Sequence, residues 1–373
     1  MHHMRLRSLS YEENLSRIDA NPWKLDQLFL EKENLIIAKN ATGKTRILGV
    51  IISFARLIQG QVIVINGIPQ RINASGSWKA SLIGDSDLKV EFSVSVENGV
   101  VLHENIVVNG KEKLRRDSFK AEIYSEKTSQ WQSISPPGNC LVAHIRRDKA
   151  EFPFLEYLVS WAEGVRAYSF ANTSPLLVEL PENPTQFMSL NAVPSILDNL
   201  SGPQVKNVLR QLNTMHYSIE GAASEPAKNS EPSRKIIHLR ELGLNIPLKQ
   251  FEISQGMFRA FSLLVILEHL RSQDGVGCVL VDDLGEGLDF DRSQELAKII
   301  FSEENKSNFQ FIATTNDASL INAIPLNDIT VCYRSNHEVN CMNHSNAKDQ
   351  FENWEKLGLN NFDLLSSNFL SKR

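Results

Sequence analysis

Short apolar runs, separated by polar and turn-forming residues, divide the chain into segments of two periods. Residues 4–9 and 23–30 alternate as strands do, and residues 35–38 form an unbroken apolar run entering a loop that ends in Gly43-Lys44-Thr45. Residues 47–57 place their apolar side chains at helical spacing, so the opening reads as strand, loop, helix. From Leu88 the pattern alternates through Val90, Phe92, Val94 and Val96, turns at Asn98-Gly99, resumes over 100–108 and turns again at Asn109-Gly110. Asn-Gly between alternating runs signals a hairpin, because both turn positions need positive φ. An antiparallel sheet is therefore expected from about residue 61 to about residue 145. Residues 154–162 read as a helix, and 183–215 as a small helical pair broken at Pro194 and at Ser201-Gly202-Pro203. Residues 220–234, with Gly221, Pro226 and Pro232, read as a mobile loop, and 236–248 as a hairpin turning near Gly243. Helix and strand then alternate: helix 254–271, strand 278–281, helix 292–301, strand 309–313, a short helix near Ala318 and strand 328–333. Such alternation implies a mostly parallel sheet.

Composition narrows the picture modestly. A chain of 373 residues can bury a large core, as one elaborated domain or two to three smaller ones. A net charge of -5 gives no overall basic field for nucleic acid, although a local basic patch would be invisible in that sum. The longest apolar stretches, 47–55 and 261–267, fall far below the roughly 20 residues that span a bilayer, and no charged-then-apolar leader opens the chain. A cytoplasmic protein with no membrane partner is expected. Four cysteines, Cys140, Cys278, Cys332 and Cys341, with no C-x-x-C pair, predict reduced thiols.

Three stretches carry candidate chemistry. Ala38-Lys39-Asn40-Ala41-Thr42-Gly43-Lys44-Thr45 follows the phosphate-loop pattern G-x-x-x-x-G-K-[ST], with alanine in place of the first glycine, where a Cβ restricts a turn that glycine makes freely. In that reading the backbone of Asn40, Ala41, Thr42 and Gly43 wraps phosphates, Lys44 neutralises them and Thr45 places its hydroxyl on Mg²⁺. The competing reading is an ordinary strand-turn-helix. Cys278-Val279-Leu280-Val281-Asp282-Asp283 is an apolar strand tipped by two acids. In a phosphate-loop protein the first holds Mg²⁺ through water and the second orients the attacking water, with Glu286 the alternative for that role. Alone it is equally an Asp-rich turn. Ser254-Gln255-Gly256 precedes a helix that is apolar nearly all round, and alone Ser254 is an N-cap and nothing more.

Order and spacing are more specific than any single motif. Ser254 lies 210 residues after Lys44 and 28 before Asp282. The sequence here resembles the ABC-type ATPases, and among them the soluble heads of the SMC, RecF and OLD-like group. The resemblance covers most of the chain and implies an α/β phosphate-loop NTPase with ABC-type topology, a mostly parallel core sheet, an antiparallel β lobe and a small helical insertion. As a single head, its parts would be an N-terminal phosphate-loop unit (1–60), the lobe (61–150), a helical insertion with a mobile loop (151–235) and a signature and C-terminal part (236–373). It implies ATP and Mg²⁺ as cofactors and a homodimer sandwiching two ATP molecules. Ser254, Gln255 and Gly256 of one subunit would face the γ-phosphate held by the other, a geometry that suits free N–H groups and a helix dipole. Gly285-Glu286-Gly287-Leu288-Asp289 resembles the family's loop after the second acid, and Asn316, in Thr314-Thr315-Asn316-Asp317, stands where the family usually has a histidine that contacts the γ-phosphate.

Four departures are visible: Ala38 for glycine, Asp283 for the usual glutamate, Asn316 for histidine, and no coiled coil between the halves. The first three bear on the rate of hydrolysis more than on ATP binding. The resemblance leaves three functions open: an ATP-hydrolysing switch, a nucleotide-gated scaffold or sensor controlling a separately encoded effector, and a DNA-binding repair head. A role in anti-phage defence rests on resemblance alone. Two smaller constellations have bland alternatives. Cys332, His337, Cys341 and His344 are possible zinc ligands at a spacing that fits no familiar finger. Asp282, Asp283, Glu286, Asp289 and Asp291 could form a two-metal nuclease site. The basic run Lys111 to Arg116 reads as a solvated hairpin edge before a nucleic-acid contact.

Overall fold

A computed structural model describes residues 4–13, 23–60, 62–65, 68–71, 75–84, 88–175, 188–189, 193–227, 235–302 and 308–367. The chain opens with β1 (Arg5–Glu12), β2 (Lys24–Phe29), β3 (Glu33–Ala38) and α1 (Lys44–Gln59), followed by a hairpin of β4 (Val62–Ile65) and β5 (Ile68–Arg71). The antiparallel lobe is β6 (Gly76–Ile83), β7 (Lys89–Glu97), β8 (Val100–Val108), β9 (Lys111–Asp117), β10 (Lys120–Ser125) and β11 (Gln130–Ile134). Next come α2 (Val142–Ile145), α3 (Pro153–Glu163), β12 (Val165–Ser169), β13 (Met188–Ser189), α4 (Val193–Asp198), α5 (Gly202–Thr214), β14 (Ile219–Pro226), β15 (Lys235–Glu241) and β16 (Leu248–Lys249). The last third holds α6 (Gln255–Arg271), β17 (Cys278–Asp282), α7 (Phe290–Phe301), β18 (Gln310–Thr315), α8 (Ala318–Ala323), β19 (Ile329–Ser335), β20 (Glu338–Met342), α9 (Lys348–Leu357) and α10 (Asp363–Ser366).

One sheet of 15 strands runs β11-β10-β9-β8-β7-β6-β1-β2-β20-β19-β3-β18-β17-β12-β13. Its segment β19-β3-β18-β17-β12-β13 is parallel throughout, and the lobe from β6 to β11 is antiparallel. The parallel strands read as unbroken apolar runs because both their faces are covered. Leu35 and Ile37 of β3 face one core, with α6, while Ile36 and Ala38 face the other, with α1. Val279 and Val281 of β17 likewise face the α6 side, and Cys278 and Leu280 the α1 side. Helix α6 is apolar all round because it is buried nearly along its length; Phe258 and Phe261 are fully buried, each contributing about 1.5–3 kcal/mol.

Several expectations are corrected. Residues 220–226 form β14, hydrogen-bonded along β15 with Ile219 and Ala222 packed on the core, while 228–234 lie outside the described residues. Pro194 does not break a helix: it is a buried residue in the first turn of α4, where a missing N–H removes no intrahelical bond. Ser201-Gly202-Pro203 does separate two helices, with Ser201 and Gln204 forming a capping box on α5. Residues 183–187 and 190–192 lie outside the described residues. Among the described residues the run after α1 pairs as the separate β4–β5 hairpin, so the lobe of the large sheet starts at β6, and 142–145 is a helical turn.

Cys332 and Cys341 are not reduced thiols but a disulfide, and Cys140 and Cys278 take part in no disulfide. The two bonded residues face each other directly across the β19–β20 pair, 4.3 Å apart at Cα. That is the close spacing of a non-hydrogen-bonded antiparallel pair. The bond also takes two members from the supposed zinc set. Among the described residues no three His, Cys, Asp or Glu side chains converge to hold a metal, so neither that set nor the five-acid nuclease set is assembled.

The basic run of β9 is consumed within the lobe. Lys113 pairs with Glu126 and Arg115 with Glu122, while Arg116 is fully buried beside Glu104 of β8 at 3.5 Å. Its guanidinium donates to the carbonyls of Ser118, Pro137 and Cys140, and Glu104 accepts from the Val142 N–H, so the pair ties the lobe to the chain leading into α2. Burial raises the Glu104 carboxyl to about 7, against the lowering pull of the Val142 N–H and Arg116. Arg116→Ala would leave Glu104 buried without its cation and is expected to cost about 3–5 kcal/mol in denaturant unfolding. A raised carboxyl is stabilising when protonated, so the loss should shrink as the pH falls below 7; a loss unchanged between pH 5 and pH 8 would contradict this account.

Candidate active site

The carboxyl ends of β3, β18 and β17 lie side by side and bring three distant segments together, which is where open α/β sheets place ligands. The loop after β3 turns through two left-handed residues, Ala41 at φ 63° and Gly43 at φ 108°. Ala38 is not among the positive-φ residues: it is the last residue of β3, paired with Cys332 of β19. The glycine that the motif puts at this position is thus not required here, and the steric demand falls three residues later. No side chain caps α1, so the first N–H groups of this 16-residue helix are left open toward the loop.

Lys44 is buried, with 7% of its surface exposed, and among the described residues its ammonium donates to two uncharged oxygens, the Ala38 carbonyl at 3.0 Å and the Asn316 side-chain oxygen at 2.6 Å. Burial holds its pKa below the ordinary lysine value, while the charges of Asp283 and Asp282 pull it back up. The Thr45 hydroxyl donates to Asp282 Oδ2 at 2.8 Å, and the Thr314 hydroxyl donates to the other oxygen, Oδ1, at 2.5 Å. Thr314 also accepts from the Asp283 N–H at 3.0 Å, which helps hold Asp283 in a left-handed conformation, φ 54°. Burial and Asp282 raise the Asp283 carboxyl, Lys44 lowers it and Glu286 adds a smaller upward push. Glu286 itself is exposed. Lys44, Thr45, Asp282, Asp283 and Asn316 are therefore one cluster. Asn40 and Ala41 are exposed on the loop, and Thr42 is buried within it.

Ser254, Gln255 and Gly256 are not part of that cluster. The Ser254 hydroxyl accepts from the Met257 N–H at 3.3 Å as the N-cap of α6, and no hydrogen bond among the described residues joins 254–256 to the phosphate loop. A Cβ on Gly256 would meet the Gly287 carbonyl at 2.9 Å, so the helix start and the loop after β17 approach closely.

Two residues escaped the sequence reading. Thr314 lies in a stretch whose asparagine drew the attention, and its hydroxyl has meaning only beside Asp282. Arg259, the one cation in the apolar stretch of α6, is buried, and its guanidinium donates to the carbonyls of Thr173 at 3.1 Å, Glu286 at 2.6 Å and Ala171. It therefore fastens both the Gly285–Asp289 loop and the segment after β12 to α6. Its signal was a lone charge where every neighbour is apolar.

Residues 34–322 match the family model described as "AAA domain, putative AbiEii toxin, Type IV TA system". The chain belongs to this family of AAA domains. Its fold is that of an ABC-type, SMC-like ATPase head. Similar solved structures include an Smc head bound to the C-winged helix domain of ScpA, 11% identical over 91% of this chain and 97% of that one, with a TM-score of 0.50. An SMC head domain from Thermotoga maritima is 12% identical over 91% of this chain and 98% of that one, with a TM-score of 0.48. An Smc head with an extended coiled coil, bound to the C-terminal domain of ScpA derived from Pyrococcus furiosus, is 11% identical over 94% and 100%, with a TM-score of 0.48. A search of curated proteins returns no match. No helix among the described residues is long and apolar enough to cross a membrane.

The left-handed loop residue gives a direct check. Ala41→Gly removes a penalty of about 1–2 kcal/mol for an L-residue in that region, set against glycine's greater freedom when unfolded, and is expected to be neutral or stabilising in thermal melts. Ala38→Gly, at a buried strand position, is expected to destabilise by about 0.5–1 kcal/mol. The reverse order would mean that the turn is made elsewhere.

Proposed function

We propose that the chain binds ATP and Mg²⁺ at the carboxyl edge of its sheet and acts as an ATP-driven homodimeric switch. The observation that carries this reading is the buried Lys44 ammonium, donating among the described residues to two neutral oxygens at the base of an uncapped helix, a cation placed where an anion would complete its charge balance. Membership of a family of AAA domains supports the nucleotide. The oxygen donors Thr45 and Asp282 suit Mg²⁺, which would offset phosphate charge there. Asp283 is the residue we assign to orienting water, and the carboxyl raised by burial needs to lose its proton for that role; turnover should therefore rise with pH until it passes a value above the ordinary aspartate range.

The exposed Ser254 and Gln255 and the half-buried Gly256, lying outside their own subunit's cluster, support a role toward a second subunit's nucleotide. A second reading, a scaffold or sensor with little turnover and a separately encoded effector, is favoured by one observation. The side chain reaching Lys44 is the neutral amide of Asn316, which supplies no titratable base. The family description names a toxin of a type IV TA system, which supports a defence role over DNA repair; DNA binding remains a separate proposal, to be tested by its salt dependence.

Lys44→Ala is expected to weaken ATP binding about 10- to 150-fold in calorimetry, the loss of one charge-assisted contact of about 1.5–3 kcal/mol. An unchanged affinity would end the phosphate-loop reading. Dimerisation is read separately by sedimentation with and without ATP. Ser254→Arg should keep ATP binding in the single subunit and lose the dimer, whereas Asp283→Asn should hold the dimer closed and slow turnover by about 100-fold or more. If Asp283→Asn turns over like the parent and Glu286→Gln does not, the water-orienting role passes to Glu286.

A further inference from the structure

Parallel pairing sets Leu280 of β17 beside Ile312 of β18, and both face the α1 side of the sheet. Two residues on, the same alternation brings Asp282 beside Thr314 on that face, where Thr45 of α1 also meets the acid. Val281 and Ala313 face the α6 side, and two residues beyond Ala313 the strand turns Thr315 that way. The ladder between the two strands stops at Val281 and Ala313. Past that point Thr314 itself holds the chain leaving β17: the Asp283 N–H donates to its hydroxyl at 3.0 Å and the Leu284 N–H to its carbonyl at 2.8 Å.

A hydroxyl has one proton to give. Because Thr314 accepts from the Asp283 N–H, its own proton is committed to Asp282 Oδ1, while Oδ2 accepts from Thr45. The last torsion of an aspartate is broad and roughly two-fold, so a carboxylate without a fixed partner turns its plane and exchanges its oxygens. Thr314 is fully buried, and its bond removes that freedom. The same hydroxyl acts on the second acid. Asp283 takes φ 54°, a conformation that strains an L-residue, and the bond from its own N–H keeps it there, which fixes the direction in which its side chain leaves the backbone.

Thr315 shows what the neighbouring position lacks. It is equally buried, but among the described residues its hydroxyl meets backbone, donating to the Leu284 carbonyl at 2.7 Å and accepting from the Asp317 N–H at 3.0 Å. Two adjacent threonines at the end of one strand therefore differ in kind, one bridging both acids and the other bracing the loop.

We propose that Thr314 is the positioning residue of this site: one hydroxyl selects which oxygen of Asp282 faces Thr45, the two groups that suit Mg²⁺, and fixes the backbone from which Asp283 reaches the attacking water. This rests on the ATP and Mg²⁺ reading above. Partners that orient the groups around a metal are worth about 10- to 100-fold in metal affinity or activity when they are lost.

ATP affinity of the full chain is measured by calorimetry in EDTA and across a Mg²⁺ titration, beside thermal melts and turnover. Thr314→Val keeps the shape and removes the hydroxyl. It should bind ATP in EDTA as the parent does, need about 10-fold or more Mg²⁺ for the same tightening, and turn over about 10- to 100-fold more slowly. Thr314→Ser should return both to near the parent, and Thr315→Val should melt earlier with the parent's Mg²⁺ dependence. If Thr314→Val does not fold, Thr314→Ala takes its place in the same comparison. Parental Mg²⁺ dependence and turnover in Thr314→Val, a Thr314→Ser chain as impaired as Thr314→Val, or an equal Mg²⁺ shift in Thr315→Val would each overturn the role of Thr314 while the nucleotide reading stands. A parent that binds no ATP, or binds it without regard to Mg²⁺, brings both readings down together.

Discussion

The charge of one buried ammonium organises the carboxyl edge of the sheet. Lys44 is buried, and its hydrogen bonds go to a carbonyl and an amide, neither of which neutralises it. Two carboxylates, Asp282 and Asp283, are the nearby counter-charges, acting through space rather than by contact. Around them the structure orients neutral hydroxyls: Thr45 and Thr314 donate to Asp282, one to each oxygen. The result is a carboxylate satisfied by uncharged donors and a cation satisfied by uncharged acceptors. Charges held apart in this way remain available to a third, highly charged group.

Two other buried cations work differently, as fasteners. Arg259 reaches three backbone carbonyls from two segments and so couples the helix that begins at Ser254 to the loop that begins after Asp283. Any shift of α6 must carry that loop with it or break charge-assisted hydrogen bonds in a dry environment. Arg116 does the equivalent in the lobe, where Glu104 neutralises it and three carbonyls fix its plane. The contrast is physical: Arg presents a planar fork of donors suited to several carbonyls at once, whereas Lys presents a point charge suited to a mobile anion.

The parts of the fold governed by local rules were legible in the sequence. Period-2 apolar alternation and Asn-Gly turns marked the lobe's hairpins, with Asn98 and Asn109 indeed at positive φ. Continuous apolar runs marked β3, β17 and β18, because strands buried on both faces have no polar side to display. The Gly-Lys-Thr loop, the acids at the end of β17 and the Ser254 cap could be found for the same reason: each is a few consecutive residues whose chemistry depends on its neighbours in the chain. Where tertiary pairing overrode local composition, the reading failed. Residues 220–226 are rich in loop-formers, yet pairing along β15 makes them a strand.

Only the tertiary structure could decide the contacts between segments far apart in the chain. Asn316 is 272 residues from the Lys44 it touches, and Asp282 is 237 from Thr45. Strand register set Cys332 opposite Cys341, and no spacing rule for cysteine motifs contains a register. Backbone conformation moved the steric demand of the loop from Ala38 to Ala41, since the extended end of β3 is fixed by pairing with β19 rather than by the residue's own preference. The sequence by itself determined which residues form strands, turns and caps, because those depend on interactions within a few residues. The partners of buried charges were decided by the folded sheet, because a charge withdrawn from water takes whatever oxygens the register of distant strands places around it.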